Sequence, residues 1–228
     1  MTKVFGSMSP QSLSLIHLIR PPLKKSAIPP LLLLLHGVGS HERDLFDLAE
    51  YLDRRFFIVS ARAPNVLGPD SYAWYPVEFT ADGMIIDFEV AEDSRSILLR
   101  FVDELIEAYQ VDPKRVYLMG FSQGAIMSLS IALTRPAKVA GIVVMSGRLL
   151  PEIRSMIAEP MALTGLPIFM AHGGADPIVP IAQARATRDE LAKLPVALTY
   201  REYAMGHQVT VESLKDVVTW LKARLDGK

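Results

Sequence analysis

The sequence predicts an α/β fold, with a mainly parallel central sheet and helices on both of its faces. Three observations point to it. Short apolar runs recur along the chain, and stretches with helical periodicity separate them. At one junction between the two, a G-x-S-x-G pentapeptide stands between an apolar run and a helix-compatible run. A strand that is apolar on both faces must be covered on both, and crossover helices between parallel strands provide that cover.

The elements follow in order. Residues 12–19 alternate in polarity and suit an antiparallel strand at the start. Leu31–Leu35, bounded by Pro29-Pro30, reads as a fully buried strand. Leu45, Leu48, Ala49 and Leu52 fall on one helical face, and Phe56-Phe57-Ile58-Val59 forms the second buried strand. The stretch Ala63-Pro64-Asn65-Val66-Leu67-Gly68-Pro69 is a loop leading to Trp74-Tyr75. Ile97, Leu98, Phe101, Val102, Leu105, Ile106 and Tyr109 make the clearest helical stripe. Val116-Tyr117-Leu118-Met119 is the next strand, and residues 125–133 continue as a helix. Ile142-Val143-Val144-Met145 and Ile168-Phe169-Met170-Ala171 are buried strands, while residues 198–203 are more polar and belong at an edge. Leu214, Val217, Val218, Leu221 and Leu225 give the last helix its apolar face. No repeat, low-complexity block or linker interrupts this pattern, which predicts one domain over residues 1–228.

Composition narrows the function classes. Half of the 228 residues are apolar, enough for a substantial core. A net charge of −1 with no basic run leaves no electrostatic footprint for nucleic acid. Cysteine is absent, so disulfides, a thiolate nucleophile and cysteine metal sites are excluded. The five leucines are too short to cross a bilayer, and Met1-Thr2-Lys3-Val4-Phe5-Gly6 lacks the apolar core of a signal peptide. A cytoplasmic protein without integral membrane association is expected.

Gly120-Phe121-Ser122-Gln123-Gly124 carries the chemistry. A serine on a sharp strand-to-helix turn adopts a strained backbone, which only small neighbours allow, and its hydroxyl projects above the sheet. Such a hydroxyl needs a base, and the base needs a group to orient it. In folds of this type the acid and then the histidine follow the serine. Of the five histidines, His17, His36 and His41 precede Ser122. His172 ends a buried strand and reads as a packed side chain. His207 lies in the loop before the last helix and is the expected base. Asp176, between the strand ending near Ala171 and Pro177, is the expected acid. Asp189 falls within a helix, and Glu152, Glu159, Glu190 and Glu202 have no comparable strand-end position. Two N–H donors for an oxyanion are expected from Gln123, next to the nucleophile, and from Val38 within His36-Gly37-Val38-Gly39.

These motifs together, with His172-Gly173 and Asp176-Pro177-Ile178-Val179-Pro180, resemble the phospholipase/carboxylesterase family of α/β-hydrolases. The resemblance runs from about Pro30 to the C-terminus. It implies an α/β-hydrolase fold without a large cap domain, and a serine esterase acting on small-molecule or lipid esters, or on thioesters, without a cofactor. It also implies that Trp74 and Tyr75 stand beside the acyl pocket, and members are often homodimers. Two positions depart from the family pattern. Ser40 stands where many members have an acidic residue, and Ala125 replaces the second glycine of G-F-S-Q-G-G.

Three alternatives compete. A dienelactone-hydrolase-like enzyme would act on cyclic esters, but those enzymes typically carry cysteine where this chain has Ser122. A non-catalytic scaffold acting as a binding module would not need Ser122, Asp176 and His207 together. A metal site from His36, His41, Glu42 and Asp44 is disfavoured, because Gly37 and Gly39 break any helix that would align the histidines.

Overall fold

The apolar runs form the middle of a seven-stranded sheet. A computed structural model describes that sheet and its coverings over residues 9–24, 27–80 and 83–227. The opening hexapeptide lies outside these residues. Along the chain come β1 (His17–Arg20), β2 (Leu31–Leu35) and β3 (Phe57–Ala61), then the hairpins β4 (Asn65–Gly68) with β5 (Ser71–Ala73) and β6 (Val77–Thr80) with β7 (Gly83–Ile86). Helix α1 (Phe88–Tyr109) leads to β8 (Val116–Phe121), and α2 (Gln123–Thr134) to β9 (Gly141–Met145). The short α3 (Pro160–Leu163) precedes β10 (Pro167–Gly173), α4 (Ile181–Leu191), β11 (Ala197–Tyr203) and α5 (Val211–Leu225).

The sheet order is β1-β3-β2-β8-β9-β10-β11. Only β1 runs antiparallel to its neighbour, as the alternation in residues 12–19 suggested. Its strand is shorter than expected, because residues before it bond to α1 instead. Gln11 N–H donates to the Tyr109 hydroxyl and Ser14 N–H to Glu104. The polar β11 is an edge strand, as its composition implies.

Alternation along each strand builds two cores. Leu31, Leu33 and Leu35 face one side with Val59, Leu118, Ile142 and Ile168, beneath α1 and α2. Leu32 and Leu34 face the other with Ile58, Met119, Val143 and Phe169, beneath α5. All five leucines of β2 are fully buried, each contributing roughly 1.5–3 kcal/mol. The stripe of α1 packs Leu98, Phe101, Val102 and Leu105 inward, and the Asp87 carboxylate caps the helix by accepting from Val90 N–H. The periodic residues from Leu45 form a 3₁₀ helix, Leu45–Glu50, rather than an α-helix. Because β2, β8, β10 and β11 are parallel, the loops after them gather at one edge of the sheet. Those loops contain His36, Ser122, Asp176 and His207.

Candidate active site

Ser122 stands between β8 and α2 with φ 52° and ψ −116°. That conformation lies in a sparsely populated region and costs an L-residue on the order of 1–3 kcal/mol, and the surrounding glycines make the turn possible. A Cβ on Gly120 would lie 2.2 Å from the Gly124 carbonyl oxygen, and one on Gly124 would lie 2.0 Å from that of Leu35. Ser122 N–H is anchored on the Met145 carbonyl at 2.8 Å. Serine at a helix N-cap ordinarily turns its hydroxyl onto the helix's first N–H groups. Here the hydroxyl makes no capping bond and lies 2.9 Å from His207 Nε2.

The His207 loop is bound to the Asp176 loop. Ala175 N–H donates to the Met205 carbonyl and Gly174 N–H to that of Tyr203. Gly173 allows the approach, since a Cβ there would lie 2.3 Å from the Gly206 carbonyl oxygen. His207 Nδ1 lies 2.8 Å from Asp176 Oδ2, so Nδ1 carries the proton and Nε2 is free to accept one from Ser122. The other carboxylate oxygen, Oδ1, accepts from Ile178 N–H and Val179 N–H at 2.9 Å each. Burial pushes the Asp176 carboxyl up, but these N–H groups and His207 outweigh it and hold it below the ordinary range. His172 is the packed side chain the sequence suggested. It is wholly buried and donates from Nε2 to the Val179 carbonyl at 2.8 Å, and burial lowers its pKa.

The loop over residues 36–40 is equally constrained. Ala63 N–H donates to His36 Nε2 at 3.0 Å, leaving Nδ1–H to donate to the Gly37 carbonyl at 2.7 Å. Gly39, at φ 80°, gives its N–H to the Tyr72 carbonyl at 2.8 Å. Glu42 pairs with Arg62, whose guanidinium covers the Tyr72 ring, and Asp44 accepts from the Ser40 hydroxyl. His36, Glu42 and Asp44, considered above for a metal, are thus committed to protein partners. Val38 N–H and Gln123 N–H donate to no acceptor among the described residues. Gln123 opens α2, so its N–H is one of those a helix cannot satisfy internally.

A model of the phospholipase/carboxylesterase family matches residues 21–225 of the chain. The chain belongs to this family. Acyl-protein thioesterase 1 of Neurospora crassa is 30% identical over 90% of this chain and 92% of its own length. A probable carboxylesterase of Arabidopsis thaliana is 27% identical over 86% of this chain and 79% of its own. Among solved structures, the Bacillus cereus carboxylesterase superposes with a TM-score of 0.79 at 28% identity, over 92% of this chain and 94% of the other. The fold is therefore that of the α/β-hydrolases, and the chain is a hydrolase of that family.

In this phospholipase/carboxylesterase member the cleft above Ser122 is lined by Val38, Tyr75, Val77, Gln123, Ile126, Arg148, Ile178 and Val179. Tyr75 is among these lining residues. Trp74 is not. It is fully buried in the core, with its indole N–H donating to the His36 carbonyl at 2.9 Å. The β4–β5 hairpin turns it inward, and Ser94, Asn65 and Gln123 hold the backbone there. Sequence reasoning took only the backbone of Gln123. Its side chain also clamps the segment, accepting from Trp74 N–H and donating to the Tyr75 carbonyl, both at 2.7 Å. Ile178 and Val179 were also missed, although two apolar residues beside the acid were a visible signal. Trp74→Ala is expected to cost about 3–5 kcal/mol of stability and to lower kcat/KM for acetate, butyrate and octanoate esters alike. Thermal melting with an ester series checks this. Selective loss on octanoate at an unchanged Tm would return Trp74 to the acyl wall.

Proposed function

We propose that the chain is a serine carboxylesterase that hydrolyses carboxylic esters, thioesters included, through an acyl-enzyme on Ser122. One observation carries the reading, the unbroken hydrogen-bond chain from Ser122 Oγ through His207 to Asp176. Ser122 Oγ attacks the carbonyl carbon as its proton passes to His207 Nε2, and Asp176 stabilises the imidazolium. The oxygen that gains charge accepts from the N–H groups of Val38 and Gln123. Collapse of the tetrahedral adduct breaks the ester bond, and the leaving alcohol or thiol takes the proton back from His207. Water then repeats the sequence on the acyl-enzyme, with Tyr75 forming part of the substrate wall.

Under the same reading the chain is one domain over residues 1–228, acts in the cytoplasm and needs no cofactor. No helix among the described residues is long and apolar enough to cross a membrane, which is compatible with that reading. A fluorophosphonate probe is expected to label the folded protein on Ser122, located by peptide mass spectrometry. A folded protein that takes no label, or takes it elsewhere, would overturn the assignment.

A further inference from the structure

Arg148 follows β9, the strand between those that deliver Ser122 and Asp176, and lines the same cleft as Ser122. It forms no ion pair or hydrogen bond among the described residues. Glu152 is close enough to act on the neighbouring Tyr75 but lies on the exposed 3₁₀ turn Pro151–Met156 and does not pair with Arg148. Tyr75 supplies a second observation. Only 1% of it is exposed, it lines the cleft, and its hydroxyl has no hydrogen-bond partner among the described residues. Burial pushes its pKa up, against the opposing effect of Arg148, so the hydroxyl keeps its proton and can donate. Apart from Ser122 and Gln123, whose amide is already bonded to the Trp74–Tyr75 backbone, the rest of the wall is aliphatic, formed by Val38, Val77, Ile126, Ile178 and Val179.

A cation and a free O–H in an aliphatic cleft discriminate between substrates. A neutral chain laid over them would strip water from the half-buried Arg148 and leave the Tyr75 hydroxyl unpaired, giving nothing back. A chain that ends in an anion would satisfy both. Groups left unpaired by the wrong ligand are a stronger source of selectivity than a change in apolar fit.

We propose, building on Ser122 as the nucleophile, that this cleft selects esters bearing a carboxylate, which Arg148 receives as an ion pair and the Tyr75 hydroxyl as a hydrogen bond. The carboxylate belongs either to the acyl part, as in a half-ester of a dicarboxylic acid, or to the alcohol part, as in an acylated hydroxy acid.

Two matched pairs distinguish these sources. Monoethyl glutarate is compared with ethyl pentanoate, and butyryloxyacetate with isobutyl butyrate, by pH-stat on the full chain. The parent is expected to favour the charged member of at least one pair by about tenfold or more in kcat/KM. Arg148→Met is expected to remove that ratio, Arg148→Lys to retain part of it, and Tyr75→Phe to reduce it several-fold. Arg148→Glu is expected to shift preference toward butyrylcholine. The ratio itself is the readout, so a general loss of folded enzyme does not mimic the result. The proposal is overturned if the parent ratio is near one or if Arg148→Met leaves it unchanged. It is equally overturned if Arg148→Met and Arg148→Lys lower both members together. Hydrolysis of neutral esters with a flat ratio removes the carboxylate proposal alone. A parent that hydrolyses no ester and takes no fluorophosphonate removes the serine reading and this proposal with it.

Discussion

Ser122→Ala is expected to fold as the parent does and to hydrolyse esters at least about 10⁴-fold more slowly, the loss typical when a triad nucleophile is removed. The structure separates the two effects. Alanine keeps the Cβ, so the positive φ at this position is no more strained than before. The lost hydroxyl caps nothing and has His207 as its hydrogen-bond partner. His207 is itself partly exposed, so water can reach the nitrogen left behind. Circular dichroism and thermal melting report the fold, and ester turnover reports the chemistry. A folded variant that keeps more than about one per cent of parent activity would move the nucleophile elsewhere.

The contrasting change is Gly124, where any side chain must displace the β2 backbone. Gly124 constrains the fold, while Ser122 is the residue proposed to carry the chemistry, although they are two residues apart. The pentapeptide was legible because its glycines and its serine answer to different constraints in one short turn. Legibility was also high wherever a residue's surroundings repeat along the chain. Leu31–Leu35 read as a strand buried on both faces and the stripe from Ile97 to Tyr109 as the face of a covering helix, and both are so. His207 and Asp176 could be expected beside Ser122, where they lie, because parallel strands bring their following loops to one edge, so order along the chain stood in for distance.

What the sequence concealed depends on single contacts between distant segments. Trp74 precedes a cleft residue and follows a loop, so it looked like a cleft residue itself. Its place is fixed by contacts with distant residues, among them the His36 carbonyl that accepts the indole N–H and the Gln123 side chain that accepts the Trp74 N–H. The β4–β5 and β6–β7 hairpins are three or four residues per strand, too short for alternation to register. The Gln123 clamp joins residues nearly fifty positions apart. Arg148 gives no signal in the sequence, because nothing there says that no carboxylate among the described residues pairs with it.

Asp176→Asn is expected to lower kcat by about 10⁴, the loss seen when the equivalent acid of a serine protease is made an amide. The hydrogen bonds at this position dictate the reason. Ile178 N–H and Val179 N–H must still be accepted, so the amide oxygen takes the place of Oδ1. The NH₂ group then faces His207 Nδ1 and can only donate to it. The imidazole proton moves to Nε2, facing Ser122, and the base has no lone pair left for the hydroxyl. Shape is kept, so the loss is one of tautomer rather than of packing. The same substitution carries a stability signature. The Asp176 carboxyl is held below its ordinary range in the folded protein, so its ionised form stabilises the fold above the unfolded carboxylate pKa of about 3.9. That contribution is lost as pH falls through the lower folded value, and the asparagine variant lacks it from the start. Parent and variant melting temperatures should therefore differ most near neutrality and converge in acid. Single-turnover kinetics on an activated ester, with melts across that pH range, test both effects. A variant within tenfold of the parent rate would take Asp176 out of the triad and direct attention to Asp189 or Glu202.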